Sequence, residues 1–368
     1  MGQSPPSSSY NEGGTGIPFF QGKTDFGDIY PKTRLYCDAP AKIAHKNDIL
    51  ISVRAPVGPT NLAPFTCCLG RGLSAIRAKR DTDYLYLFRF MRFYAPELEK
   101  AGKGSTFESI TRDDFAEIFL PLPSLEEQRR IAGILERADR LRRLRLQALE
   151  ISDTYLQSVF LEMFGNEQND RTTMSEVLSK AKNSIRTGPF GSQLLHSEFV
   201  DAGVAVLGID NAVQNRFVWA KPRFITPKKY EEMKRYTVYP KDIIVTIMGT
   251  VGRCAIVPDM IPESINSKHL CCMTLNLEQF APEFIHACFL HHPPLLKQLK
   301  DTQRGAIMDG LNMELIKSLE IPLPPLELQR KFARVVQRHE RLRAQQLEGV
   351  RLAQGLYDAL LHDAFADA

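Results

Sequence analysis

Leu120-Pro121-Leu122-Pro123-Ser124-Leu125-Glu126-Glu127-Gln128-Arg129-Arg130 is written a second time as Ile321-Pro322-Leu323-Pro324-Pro325-Leu326-Glu327-Leu328-Gln329-Arg330-Lys331. Pro121 and Pro322, like Arg129 and Arg330, stand 201 positions apart, so the copies share one register. A long helical pattern runs behind each. In the first, Ser124 and Glu127 make an S-x-x-E capping box, and the prolines end whatever precedes it. Apolar or small residues then recur at Ile131, Ile134, Ala138, Leu141, Leu144, Ala148, Ile151, Tyr155 and Val159. Gly165 stands where a glycine stop belongs. Roughly 38 residues at a rise of about 1.5 Å make a rod of about 57 Å. Shifted by 201, the stripe reads Phe332, Val335, His339, Leu342, Gln345, Gly349, Leu352, Leu356 and Leu360, again mostly apolar. Neither stripe suits water alone, so the rods are expected to pack on each other, antiparallel.

The expected fold class is α+β: two globular α/β modules separated by two long antiparallel helices forming a coiled coil, with an internal pseudo-twofold repeat. The boundaries read as 1–122 for the first module, 123–165 for its helix, 166–322 for the second module and 323–368 for the last helix.

At 368 residues the chain expects two or more domains, and its 43% hydrophobic content is ordinary for a globular protein. A net charge of +4 excludes a chain that is polybasic throughout. Charge is nonetheless uneven: Arg137, Arg140, Arg142, Arg143 and Arg145 crowd one part of the first helix with Asp139 alone against them. Such a run is either a solvated face or a surface for phosphate or a partner. Seven cysteines, including Cys67-Cys68 and Cys271-Cys272, show no C-x-x-C spacing and suit a reducing cytoplasm better than a disulfide framework. Met1-Gly2-Gln3-Ser4-Pro5 is no signal peptide, and no apolar run approaches the ~20 residues of a membrane span.

Residues 1–30 are loop-like in their Ser, Gly and Pro content. Asp48–Arg54 then reads as a strand followed by a turn at Ala55–Gly58. Asp83–Lys100 reads as a helix whose aromatics Tyr84, Tyr86, Phe88, Phe90, Phe93 and Tyr94 belong to a core. Lys241–Gly252 repeats Asn47–Gly58 at an offset of 194, and Gly104-Ser105-Thr106 matches Gly305-Ala306-Ile307 at 201. The modules therefore share a skeleton and differ in polar detail, as two readers of two targets would. About 30 residues precede the Gly203–Leu207 segment within its module, but few precede its counterpart Gly16–Phe20. The first module is accordingly expected to lack an N-terminal piece.

Catalytic signatures are missing. There is no G-x-x-x-x-G-K-[ST] loop, no strand-linked G-x-G-x-x-G, no zinc spacing and no [ND]-P-P-[FY]. His291-His292 before Pro293-Pro294 read as a helix interruption, His339 as a packed or rim histidine, and Glu232-Met233-Lys234 as a chance triplet in a polar run.

The doubled motif, taken with other segments, resembles the DNA-specificity subunit of type I restriction–modification enzymes over nearly the full length. Those segments are Gly2–Asn11, Gly16–Gly22, Ile51–Gly58, Gly70-Arg71-Gly72-Leu73 and Gly188-Pro189-Phe190-Gly191-Ser192. The resemblance implies two target recognition domains, each reading one half of a bipartite double-stranded DNA sequence, with the helices setting the unread spacer. It implies docking of two methyltransferase subunits, which would bring S-adenosylmethionine, and of restriction subunits in the full complex. No cofactor, metal or catalytic residue is expected in this chain, and the compartment implied is the cytoplasm, with no membrane partner. Two other readings remain open. One is the recognition region of a single-chain restriction–methylation enzyme; the other is a coiled-coil scaffold without DNA readout.

Base-edge readout needs Arg, Lys, Asn or Gln in a groove, while phosphate contacts fix register. The candidates that the matched loops present are Ser4, Tyr10, Asn11, Gln21, Lys23, Arg54 and Arg71 in the first module. Ser192, Gln193, Asn211, Arg253 and Lys268 are those of the second. Asn11 also suits a turn, and Arg71 a loop brace.

Overall fold

The computed structural model describes residues 1–103, 109–165, 170–304 and 310–366, and both copies of the doubled motif open a helix of 40 residues, Leu125–Phe164 and Leu326–Phe365. The match of Gly104–Thr106 with Gly305–Ile307 lies outside the described residues. Two compact units divide the chain: Met1–Ala148 with Gln346–Ala368, and Leu149–Gln345. Each unit thus holds the start of one long helix and the end of the other.

In the first unit the strands are β1 (Tyr10–Asn11), β2 (Ile17–Phe20), β3 (Leu35–Cys37), β4 (Ile43–Ala44), β5 (Ile49–Ser52), β6 (Thr60–Leu62), β7 (Cys67–Leu69) and β8 (Leu73–Ile76). They form a five-stranded sheet in the order β1-β3-β2-β7-β4 and a three-stranded sheet in the order β6-β5-β8. Helices α1 (Tyr84–Lys103) and α2 (Arg112–Ala116) lead to the long helix α3 (Leu125–Phe164).

The second unit has β9 (Arg171–Thr173), α4 (Met174–Val177), β10 (Ile185–Thr187), β11 (Phe199–Val200), β12 (Val204–Leu207), β13 (Phe224–Ile225) and α5 (Pro227–Met233). There follow β14 (Ile243–Thr246), β15 (Cys254–Ile256), β16 (Ser264–Asn266), β17 (Leu270–Met273), α6 (Pro282–His291), α7 (Pro293–Arg304), α8 (Met313–Ser318), β18 (Glu320–Pro322) and the long helix α9 (Leu326–Phe365). Its sheets are β10-β17-β14-β15 and β11-β13-β12-β16, with β18 on β9. In both units one strand pair is parallel, β2 with β7 and β12 with β16, and the Asp48 and Asp242 strands are fully buried.

The glutamine of the doubled motif shows why it is written twice. Gln128 and Gln329 are both 0% exposed. Gln128 Oε1 accepts from Asp83 N at 2.9 Å, and its Nε2 donates to the carbonyls of Asp81 and Pro123. Gln329 repeats the pattern with Ala281 N at 3.0 Å and the carbonyls of Gln279 and Pro324. Each amide closes the N-terminus of a module helix, whose first N–H groups have no intrahelical partner, onto the proline-rich entry of a long helix.

The far ends of the long helices are also matched. Phe164, closing α3, packs on Phe284 of α6 and Phe332 of α9 in the second unit. Phe365, closing α9, packs on Tyr86, Phe90 and Phe93 of α1 in the first. The aromatics of α1 are core, as their spacing predicts. His291 ends α6 and Pro293 begins α7, so the interruption read from His291-His292-Pro293-Pro294 is present.

The long helices meet antiparallel inside each unit, and the stripe read from the sequence is in the seam only in part: Phe332, His339 and Gly349 of α9 stand in it. In the second unit His339 Nε2 stands 2.8 Å from the carbonyl oxygen of Ser152, Arg343 Nε donates to Asp153 at 2.6 Å, and Phe332 meets Phe160. In the first, Arg145 lies against Gly349. Arg142, Leu149, Ser152 and Leu156 are half-buried, each one residue on from the expected Leu141, Ala148, Ile151 and Tyr155. One residue is about 100° of helix, so this middle part of the stripe turns outward, while Ala138, Phe332 and His339 stay buried. Leu141, Leu144, Leu352 and Leu356 are exposed in the first unit, as are Ile151, Tyr155 and Leu342 in the second.

The arginine run divides: Arg137, Arg140 and Arg145 are exposed, as a solvated face would have them, while Arg142 and Arg143 turn to Asp139. Asp139 is 0% exposed and accepts from Arg89 at 2.8 Å and from Arg142 at 2.8 Å, with Arg143 at 3.5 Å. Burial works against its charge, yet the bonds from Arg89 and Arg142 outweigh it and hold the carboxyl below the usual range.

Candidate nucleic-acid interface

The same short loop follows the parallel strand in both units. In the first it is Gly70-Arg71-Gly72, where Gly70 N donates to the carbonyl of Phe20 at 2.8 Å and Leu73 N to that of Gly70 at 3.1 Å. In the second it is Ser267-Lys268-His269, where Ser267 N donates to Leu207 O at 2.8 Å and Leu270 N to Ser267 O at 3.0 Å. Val53 N reaches Gly72 O at 3.0 Å, and Ile247 N reaches His269 O at 2.9 Å. Arg71 and Lys268 therefore occupy one position of one scaffold, both exposed.

Around the first loop the chain brings several candidates together. Ser4 Oγ accepts from Arg71 N at 3.3 Å, and Gly2 N and Gln3 N donate to Leu73 O and Leu69 O. A side chain at Gly70 or Gly72 would strike the backbone of Gln21, so both glycines are needed for this approach. Lys23 follows in a 3-10 turn, Lys23–Asp25, where Asp25 Oδ2 accepts from Gln21 N at 2.7 Å. Arg54 is exposed one residue after the Val53 bond. Ser4, Gln21, Lys23, Arg54 and Arg71 thus share one neighbourhood. Tyr10 and Asn11 do not: β1 lies at the outer edge of its sheet, and Tyr10 packs on Phe19 at 5.3 Å. Asn11 spends its whole amide on a turn, with Oδ1 accepting from Thr15 N and Nδ2 donating to Thr15 O.

In the second unit a cleft of about 620 Å³ opens beside the loop and is lined by His196, Lys221, Arg223, Lys268 and His269 with Phe199. Burial, then the charges of Lys268 and Arg223, hold the His269 imidazole below its usual range, so it is neutral near pH 7 while the cleft stays cationic. Of the candidates read from sequence, Lys268 alone lines it. Ser192 is exposed on the neighbouring 3-10 turn, and Gln193 Oε1 is committed to Phe190 N and the Tyr236 hydroxyl. Arg253 is exposed in the β14–β15 hairpin, whose backbone bonds hold Thr246. Asn211 is buried, its Oδ1 accepting from Gly208 N at 2.8 Å and its Nδ2 donating to Val218 O, so it caps a turn and reads nothing. Sequence reasoning missed His196, Lys221, Arg223 and His269. The signal was there for two of them, since Lys221-Pro222-Arg223 is a basic pair held stiff by proline ahead of a strand.

Glu232-Met233-Lys234 forms no acidic site: Met233 is buried, and the charges join surface pairs Lys234–Glu231 and Lys229–Glu232. Among the described residues no group of His, Cys, Asp and Glu could hold a metal, and no helix is long and apolar enough to cross a membrane. All seven cysteines are unpaired and buried, and burial pushes Cys67 and Cys271 up to about 12.

The profile of the type I restriction modification DNA specificity domain matches residues 1–150 and again 202–352, once for each copy of the repeat. The chain belongs to this family. It is 50% identical over 142 residues to the putative type I restriction enzyme MjaX specificity subunit of Methanocaldococcus jannaschii, covering 38% of this chain and 33% of that protein. The MjaIX specificity subunit of the same organism is 25% identical over 315 residues, 80% of this chain and 71% of that one. With the MjaVIII subunit, where the match spans 62% of the relative, the chain covers between about a third and 71% of these proteins. In fold it is similar to the type I restriction-modification S subunit from M. genitalium, with a TM-score of 0.62, 16% identity and 99% and 92% of the two chains covered. A chain solved in work on complex assembly and conformational transition of the type I R-M system gives 0.61, 20% identity and coverage of 97% and 91%.

Proposed function

We propose that this chain is a DNA-reading, non-catalytic specificity subunit acting in the cytoplasm, in which each unit reads one half of a bipartite duplex target. The observation that carries this is the loop built twice with a cation at one position, Arg71 and Lys268, each beside exposed polar groups. Such groups suit phosphate register and base-edge contact in a groove. The helices α3 and α9 act as a coiled-coil spacer, and their exposed leucines supply apolar surface for two methyltransferase subunits, which bring S-adenosylmethionine. Restriction subunits join the full complex.

Co-expression with a cognate methyltransferase subunit, followed by single-molecule mapping of adenine methylation on plasmid DNA, tests this. The expected result is a two-part motif with a fixed unread gap. A stable complex that methylates no defined motif would overturn it.

A further inference from the structure

We propose that Arg223, and Arg34 in the first unit, are base-reading arginines aimed by a carboxylate, and that the base each reads is guanine. This rests on the DNA reading above and deepens it, because neither residue belongs to the motifs through which the chain resembles its family.

The second unit shows the device most fully. Arg223 directly precedes β13 and lines the cationic cleft with Lys221, Lys268 and His269. Its Nη2 donates to Asp210, in the 3-10 turn Ile209–Asn211. A Cβ on Gly208 would collide with the guanidinium, so the plane of Arg223 is seated on the bare backbone of Gly208. Asn211 holds that backbone by accepting from Gly208 N. Asn211, which the sequence offers as a reader, is instead part of the seat of one.

Arg34 repeats the arrangement. It directly precedes β3, which pairs antiparallel with β2 as β13 does with β12. Its Nε and Nη2 both donate to Asp25 Oδ1, the former at 3.1 Å. Asp25 is 5% exposed and fixed by Gln21 N, whereas the Arg34 side chain is 60% exposed. The acid is locked inside and the guanidinium is held outward on the Lys23–Asp25 turn, whose Asp25 also holds Gln21 N.

Arg34 is pinned by its Nε edge and Arg223 by one Nη2 bond with its plane on Gly208; a side chain so held loses little freedom on binding. Planar paired donors match the O6 and N7 acceptors of guanine in the major groove, the pairing that discriminates best among bases. Lys221 and Lys268 are flexible point charges and suit phosphate oxygens instead. The acid is the third residue of its turn in the first unit (Asp25) and the second in the other (Asp210), so the two arginines are set one register apart and need not place guanine alike.

The test uses the complex with the methyltransferase subunit and the same methylation map. The wild-type motif is expected to contain a G·C pair in each half. Arg223→Ala is expected to make one such position in one half degenerate, with discrimination there falling about tenfold or more, and Arg34→Ala one position in the other half. Asp210→Asn and Asp25→Asn should relax the same positions at temperatures well below their melting points, whereas a merely structural pair would lower the melting temperature and leave the motif unchanged. Where an alanine variant fails to fold, Arg223→Lys and Arg34→Lys keep the charge and lose the fork, and are expected to relax the same base pair. A uniform fall in methylation over an unchanged motif would make these arginines phosphate contacts and overturn the inference alone, as would no change at all. A wild-type complex without a bipartite motif would instead remove the reading on which it rests.

Discussion

In the first unit α1 is locked to the long helices by a buried ion pair as well as by aromatic rings, and in the second α6 is locked to them by aromatic rings. Arg89, 1% exposed, donates to Asp139, to Glu136 and to the Tyr357 hydroxyl. The repeat puts Ala287 and Glu340 at the places of Arg89 and Asp139, and the second unit relies on Phe160, Phe164, Phe284 and Phe332, whose ring centroids lie 4.8 to 6.2 Å apart. The shared skeleton of glutamine clamp, parallel pair and reading loop is thus indifferent to how its core is filled. Packing tolerates this where volume is kept, but the two solutions fail under different insults.

The largest expected difference comes from the charged lock. Asp139→Ala leaves Arg89 buried without its main partner, at a cost of about 3–5 kcal/mol. Hydrogen exchange on the full chain should show α1 and its neighbours in the first unit losing protection while β14 and β17 keep theirs. Arg89→Met with Asp139→Leu should regain most of it. A cost for Asp139→Ala below about 1 kcal/mol would remove the distinction between the locks.

Acid should reverse the order of weakness. Six of the eight histidines lie in the second unit. Burial, with Arg171 nearby, lowers His292 from 6.5 to about 4, and burial lowers His286 and His291 as well. A histidine whose folded pKa is depressed binds its proton more readily when unfolded. Its contribution is therefore complete above pH 6.5 and lost as pH falls from 6.5 towards 4, by up to about 3 kcal/mol for His292. Peptides of α6 and α7 should exchange faster at pH 5 than at pH 7 while those of α1 change less. Equal acid sensitivity of both units would contradict this.

A smaller and equal effect is expected at the glutamines. Gln128→Ala and Gln329→Ala each strip three bonds from a buried clamp and should cost about 2 kcal/mol apiece, read as matched drops in denaturation midpoint. Unequal drops would mean that the repeat is not mechanically equivalent in its two copies. The smallest effect on folding is expected from Leu144→Ser with Leu352→Ser. These leucines are exposed, so stability should stay within about 0.5 kcal/mol while co-purification of the methyltransferase weakens. Undiminished co-purification would place the docking surface elsewhere.

What the sequence revealed follows from how local each signal is. The capping box, the glycine stop at Gly165 and the repeated Asp48 and Asp242 strands are short-range patterns, and the helices and strands stand where they predict. The seam was read correctly at Phe332 and His339 but misplaced by one residue along the middle of α3, where Ser152 meets His339 and Asp153 meets Arg343 as polar groups while leucines stay outside, against simple apolar bookkeeping. Of the residues proposed to meet DNA, Arg71 and Lys268 were legible through the repeat. Asn11 and Asn211 were chosen for their chemistry, yet amides of this type also satisfy turns, and only the fold shows both committed. Arg34 was invisible, and Arg223 legible only as half of a basic pair, because the groups that seat them, Asp25, Gly208 and Asp210, mean nothing until the chain folds back.

Hydroxyl-radical footprinting of the methyltransferase complex on its mapped duplex target would show whether one chain holds two readers. Two protected patches are expected, with Arg71→Ala losing one and Lys268→Ala losing the other. A single patch, or joint loss of both patches in either variant, would contradict it.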